Sequence, residues 1–316
     1  MSEPKSLQEA IVYFANPENS VRYLAVRRWP NGVMCPGCGS DRVSYNAERR
    51  TWKCSTHHSK REFSIKIGTI FEDSAISLDK WLTAMWMLTN CKNGISSCEI
   101  GRALDVTQKT AWFMAHRIRL ALQDENFGKM GGEVEVDETF IGGLSRNMHL
   151  EKRTLRITGT GGKDKTPVMG ILQRGGKVRT SVIPNRRKKA LPAKVRQHVL
   201  AGSAIFTDAL QSYEGLDAEY AHQVIEHAVA YVDGKIHTNG MENFWSLLKR
   251  GIKGTYVSVE PFHLFRYLDE QSFRFNYRKN MNDGDHFDHV VRQIVGKRVI
   301  WNQLIGKTAN LETCPN

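Results

Sequence analysis

The sequence predicts an α/β core, a mixed β-sheet flanked by helices, with a small metal-held module and a helical region ahead of it. Three observations lead there. From residue 133 onward, apolar runs of strand length come first as three in succession, then in alternation with helical spacings. Two of those runs carry an aspartate, Asp137 in EVEVDETFIGG and Asp208 in AIFTDALQSY, and a later helical stretch, HTNGMENFWSLLKR, carries Glu242. Upstream, CPGCG and WKCSTH bring cysteines and histidine together at metal-ligand spacing.

Residues 1–30 form an N-terminal helical segment; over 6–29 the candidate buried positions are Ile11, Phe14, Val21, Tyr23 and Leu24. Residues 31–70 change character, with more Gly, Cys, Lys and His and short β-like stretches, and are assigned to a zinc ribbon. Cys35 and Cys38 form a knuckle whose spacing points both thiolates at one ion, and the glycines beside them let the backbone turn tightly beneath it. Cys54 and His57 make the second half, so that C-x2-C-x15-C-x2-H suits tetrahedral Zn2+; the adjoining His58 is the alternative fourth ligand. Four protein ligands leave no open coordination position, so the ion is structural. Cys91 and Cys98 are read as ordinary residues of a helical region, and Cys314 as part of a polar tail.

Residues 71–127 form a helical, DNA-binding region of helix-turn-helix type. Leu78, Trp81, Leu82, Met85, Trp86 and Leu88 mark one apolar stripe at three- and four-residue steps. In GISSCEIGRALDVTQKTAWFMAHRIRLAL, Ser96 or Ser97 can cap a first helix that buries Ile100, Ala103 and Leu104, and Thr107 can cap a second. Gln108, Lys109, Thr110 and Trp112 then lie at the base-reading end of a recognition helix, with Arg117 and Arg119 suited to phosphate.

A glycine-rich joint over 128–132 precedes the core, assigned to 133–280. Strands are expected near 134–141, 167–173, 177–184, 203–207 and 222–226, and helices near 190–200, 209–215, 238–250 and 261–278. A three-strand meander followed by alternating helices and strands is the order of an RNase-H-like fold, which wants carboxylates on its first and fourth strands and on a later helix. Residues 281–316 are expected to be a C-terminal tail.

Two strand aspartates and a helix glutamate can converge on hard divalent cations, which prefer oxygen ligands. Asp137, Asp208 and Glu242 are therefore candidate ligands of two Mg2+ (or Mn2+) ions for phosphoryl chemistry. Three carboxylates so close repel one another, so one should have a raised pKa without metal. Lys249, nearly two helical turns after Glu242, shares its face and can hold a phosphate. Trp245 and Arg250 lie on or near that face as further DNA contacts, while His237, Asn239, Asn243 and Asp233 compete with Glu242 for the third ligand position. Glu138 should point to the opposite face of the sheet.

Net charge is +12, which favours a polyanionic partner. No run approaches the roughly 18–20 apolar residues that span a bilayer, and the N-terminus does not read as a secretory signal, so a cytoplasmic, nucleoid-associated protein with no membrane partner is expected. The stretch from Arg146 to Lys165 is rich in basic residues and is read as an arm gripping DNA backbone; its Gly159–Gly162 segment lacks the G-K-[ST] ending of a phosphate loop.

At CPGCGS, FSIKIGTIFEDSAISLDKW, TAWFMAHRIR, VEVDETFIGG, IFTDALQSY, HTNGMENFWSLLKRGIKGTY and YLDEQSFRFNYRKN the chain resembles bacterial insertion-sequence DDE transposases with an N-terminal zinc ribbon and a DDE(K) core, the IS-fifteen-ninety-five family, related to the Merlin elements. The resemblance implies that Asp137, Asp208 and Glu242 are the catalytic triad and that Lys249 is the accompanying lysine. It implies as substrates the terminal inverted repeats of the protein's own element and a target DNA, joined by strand cleavage and strand transfer, with a homodimer or larger assembly on paired ends. His57 departs from the pattern, since many relatives have a cysteine there. The rival readings are a structure-selective nuclease or resolvase on the same fold, and a non-catalytic DNA-binding regulator derived from a transposase.

Overall fold

Side-chain caps set where the first helices start. The computed structural model describes residues 3–124, 128–143, 150–156, 165–184, 190–208, 213, 215–225, 237–279 and 281–307. Helix α1 (Leu7–Phe14) opens on Ser6, which accepts from the Glu9 amide; α2 (Pro17–Arg28) opens on Asn16, which accepts from the Glu18 amide, with Pro17 at its first position. The helical stretch expected over 6–29 is thus two helices. Phe14, Val21, Tyr23 and Leu24 are buried as expected, whereas Ile11 is exposed and Ala10 and Tyr13 take the inner face of α1.

Strands β1 (Val43–Asn46), β2 (Thr51–Cys54) and β3 (Glu62–Ser64) pair antiparallel in that order to make the ribbon. Helix α3 (Leu78–Asn90) buries Trp81, Leu82, Met85, Trp86 and Leu88. Helices α4 (Ser97–Leu104) and α5 (Gln108–Ala121) form the helix-turn-helix. Ser96 and Glu99 make a reciprocal capping box, Asp105 closes α4 in a left-handed conformation (φ 51°), and Thr107 caps α5. The buried side of α4 is Ile100, Gly101 and Leu104, not Ala103; a Cβ on Gly101 would stand 3.0 Å from the Val106 carbonyl oxygen, so the tight turn takes the place of a side chain.

A compact unit runs from Asp124 to Lys279. It contains β4 (Glu133–Ile141), α6 (Leu150–Arg156), β5 (Thr166–Gln173), β6 (Val178–Val182), α7 (Ala190–His198), β7 (Ala204–Asp208), β8 (Ala221–Ile225), α8 (Asn239–Gly251) and α9 (Leu264–Asn276). The sheet order is β6-β5-β4-β7-β8, with β4, β5 and β6 an antiparallel meander and β7 and β8 parallel to β4. This is the RNase-H-like mixed sheet. One face packs Val134, Val136, Met169, Ile171 and Ile205 with Leu191 and Val195 of α7; the other packs Val168 and Leu172 with Met241, Phe244, Trp245 and Leu248 of α8. Even and odd positions of β4 thus serve different layers, as a pleated strand requires. Leu150–Arg156, inside the basic stretch read as an arm, is helical. Arg146, Gly159–Gly162, Lys163, the basic run at 186–189 and most of the helix expected over 209–215 lie outside the described residues.

The other compact unit joins residues 1–123 to 280–316. The tail expected over 281–316 is therefore, through residue 307, part of a folded core. Helix α10 (Asp283–Val291) inserts Phe287 against Phe14, Tyr23 and Trp86, with ring centroids 4.9–5.7 Å apart. Trp301 of α11 (Trp301–Leu304) meets the rings of Trp112 and Phe113 of α5. No helix among the described residues is long and apolar enough to cross a membrane.

Candidate active site and metal centre

Parallel pairing of β4 with β7 aligns Glu133 with Ala204, Val134 with Ile205 and Glu135 with Phe206. The pairing ends at Glu135 and Phe206, so Asp137 and Asp208 each lie two residues past the last paired position of adjacent parallel strands. Glu135, Asp137, Phe206 and Asp208 share one face of the sheet, the face α8 covers. Asp137 lies opposite Gly170 of β5. A Cβ on Gly170 would collide with Met241 Cε and stand 2.7 Å from Trp245 Cζ2, so this glycine lets α8 approach closely.

Asp137 is half-buried and held at both oxygens: Oδ1 accepts from the Glu138 amide at 2.8 Å, and Oδ2 accepts from the Trp245 indole Nε1 at 3.0 Å. Burial raises its pKa most, the backbone bond opposes that, and the charges of Asp208 and Glu242 add to the rise; the group stands at about 6 against an ordinary 3.8. Asp208 and Glu242 are thus close enough for their charges to act on Asp137. The three carboxylates do not form a tight cage: among the described residues, the ribbon ligands are the group of three or more whose donor atoms all lie within 4.8 Å of one another. Glu242 is exposed in the first turn of α8, Lys249 is half-buried in its last turn, and Arg250 is exposed.

Trp245 is 4% exposed, so it is a support for Asp137 and a core residue, not a DNA contact. Arg117 and Arg119 are also withdrawn as phosphate contacts, since each is 2% exposed. Arg117 donates to the carbonyls of Glu72 (2.8 Å) and Val299 (3.2 Å) and lies over the Phe113 ring, pinning the C-terminal segment to α5. Gln108 and Lys109 are exposed as expected: Gln108 Nε2 donates to Ser97 Oγ at 2.9 Å, and Lys109 Nζ lies 4.5 Å from the Trp301 ring centroid. The Thr110 hydroxyl is 2.9 Å from that of the capping Thr107.

In the ribbon, Cys35, Cys38, Cys54 and His58 converge. His58 Nε2 is 3.3 Å from Cys35 Sγ, and Cys38 Sγ is 3.7 Å from Cys54 Sγ. His58 therefore replaces His57, which is exposed. The chain leaves β2 at Cys54 and bends through residues 55–59, so the ligand that returns is one residue later than a knuckle spacing demands. Burial opposes ionisation of the Cys54 thiol, yet hydrogen bonds involving His58, Thr56 and Cys38 bring it down to about 6, which favours the thiolate a metal needs. Three soft thiolates and an imidazole fit Zn2+.

Reading the sequence alone missed Glu135 and Arg174. Glu135 is 1% exposed, two residues before Asp137 on the same face, and meets Arg174 Nε at 2.9 Å. Alternation in EVEVDE aligns it with Asp137, but nothing local says that an arginine of the β5–β6 turn returns to it.

An RNase-H-like sheet bearing two aspartates on adjacent parallel strands, joined to a zinc ribbon and a helix-turn-helix, defines a class of DNA-processing proteins. Residues 129–276 match the model of the ISXO2-like transposase domain, and residues 16–56 match the transposase zinc-ribbon domain. The chain is similar, at 30% identity over 252 residues covering 75% of it and 83% of the relative, to an uncharacterized protein in transposable element ISH50 of Halobacterium salinarum. It is also similar to an uncharacterized transposase-like protein of Haemophilus influenzae, at 34% identity over 101 residues covering 32% of this chain and 81% of the relative. The chain belongs to the ISXO2-like transposase family.

Proposed function

We propose that this transposase binds the inverted-repeat ends of its own element, hydrolyses the phosphodiester at the element boundary, and transfers the freed 3′-hydroxyl to target DNA. The leading support is the match of residues 129–276 to the ISXO2-like transposase domain, with Asp137 on β4, Asp208 on the adjacent parallel strand β7 and Glu242 in the first turn of α8. Two Mg2+ ions (or Mn2+) at these carboxylates would supply charge that stabilises the attacking and departing oxygens. Asp137 is oriented for that duty by the Trp245 indole and by the Glu138 amide, one at each carboxylate oxygen. Lys249 would steady a phosphate beside the carboxylates, and Arg250 the adjoining backbone. Gln108, Lys109 and Thr110, at the start of α5, would meet base edges at the element ends. Neither step needs a covalent protein–DNA intermediate, because a water and then a 3′-hydroxyl are the nucleophiles. Paired ends call for two copies or more acting together.

The test is product analysis on DNA carrying the sequences that flank the gene, incubated with purified protein and Mg2+. Joined strand-transfer products are expected. Simple cuts without joining would mean a nuclease or resolvase, and an Asp137→Asn protein that behaves like wild type in every assay would mean a regulator. Asp137→Asn is expected to keep end binding and lose cleavage.

A further inference from the structure

Glu135 does more than fill the sheet. Its Oε2 accepts from the Met241 amide at 2.9 Å, in the first turn of α8. Its Oε1 pairs with Arg174 Nε at 2.9 Å and lies 3.4 Å from His237 Nδ1. Arg174 in turn donates from Nη2 to the His237 carbonyl at 2.6 Å and stacks over Phe206, 3.9 Å from its centroid. A carboxylate this buried is costly unless paired and hydrogen-bonded, and here both oxygens are engaged. Gly240 makes room for it: a Cβ there would stand 2.8 Å from Glu135 Oε2 and 2.5 Å from Leu172 Cδ2.

The contacts form a pair. Glu135 holds Met241, and Asp137 holds Trp245. Two residues along a strand advance about 6.8 Å, and four along a helix about 6 Å, so β4 and α8 are latched at two nearly matching steps. Glu242 directly follows the residue gripped by the first latch. Resting on the assignment of Asp137, Asp208 and Glu242 to the divalent-cation site, we propose that Glu135, held by Arg174, is a positioning residue that fixes the first turn of α8 so that Glu242 is delivered to that site.

The experiment measures Mn2+ affinity of the full chain by electron paramagnetic resonance, beside its melting temperature. Glu135→Gln keeps an acceptor for the Met241 amide but loses the charge that orders Arg174; about tenfold weaker Mn2+ binding is expected, the size usual for a residue that orients a metal ligand. Arg174→Lys, which keeps the positive charge but not the fork, is expected to weaken Mn2+ in the same direction, and it decides the matter if Glu135→Gln does not fold. A merely structural role would lower the melting temperature and leave the affinity of the folded protein unchanged, which overturns the proposal. Glu242→Gln separates the two layers of inference. If it weakens Mn2+ binding while the Glu135 and Arg174 variants do not, the latch fails and the site stands; if Glu242→Gln has no effect, the site assignment itself fails.

Discussion

Replacing Asp137 by asparagine should stabilise the metal-free protein, and the gain should depend on pH. The rise of the Asp137 pKa from 3.8 to about 6 corresponds to about 3 kcal/mol against the ionised form in the folded state. Between pH 4 and 6 the native state binds a proton that the unfolded chain has given up. Stability from this group is thus fully present below about pH 4 and is lost as pH rises through about 6. Asparagine removes the charge but has one acceptor oxygen where the carboxylate uses two, for the Glu138 amide and the Trp245 indole; the lost bond costs about 1 kcal/mol. The net gain at pH 8 is about 2 kcal/mol, or roughly 4–8 °C in melting temperature for a unit of this size. Thermal and urea unfolding in EDTA at pH 4.5, 6 and 8 would measure it. The variant's advantage should grow from pH 4 to 6 and level off above 7, and Mg2+ should rescue wild type but not the variant. A difference independent of pH, or a variant less stable at pH 8, would refute the reasoning.

Three further outcomes are expected. His58→Ala should release zinc from the purified protein and melt the ribbon, whereas His57→Ala should retain the ion, both read by metal analysis. Arg117→Ala should cost about 2–3 kcal/mol by stranding the Glu72 and Val299 carbonyls and leave the salt dependence of DNA binding unchanged, while Lys109→Ala should make that dependence shallower. Gly170→Ala should lift α8 from β5 and destabilise the protein by about 1–3 kcal/mol in chemical denaturation, with cleavage falling further than stability explains.

The core was legible because its signals are local. Period-two runs marked β4 to β8 within a residue or two, and Ser96 and Thr107 marked helix starts by caps that act over three residues, whereas the break at Asn16 that splits 6–29 into two helices went unread. Asp137 and Asp208 could be paired from element order alone, since a fold with those strands adjacent leaves few alternatives. The failures share one cause: burial of a charged or polar side chain is decided by what returns from far along the chain. Arg117 and Arg119 looked like phosphate ligands because nothing near α5 shows that residues 297–305 cover it. Residues 281–316 read as a tail by their polar composition, although Phe287, Val290, Val291 and Ile294 carry helical apolar spacing. Trp245, three residues after Glu242, reads as a DNA contact by spacing, but it is buried and its partner is the Asp137 carboxylate. His57 lost to its neighbour because knuckle spacing assumes a tight turn that the chain after Cys54 does not make.

Anomalous scattering from Mn2+ soaked into crystals of the wild-type protein would show directly whether Asp137, Asp208 and Glu242 hold catalytic ions. Two manganese peaks about 3.5–4 Å apart, in contact with all three carboxylates, are expected. Peaks only elsewhere on the chain, or none touching Asp137, would contradict it.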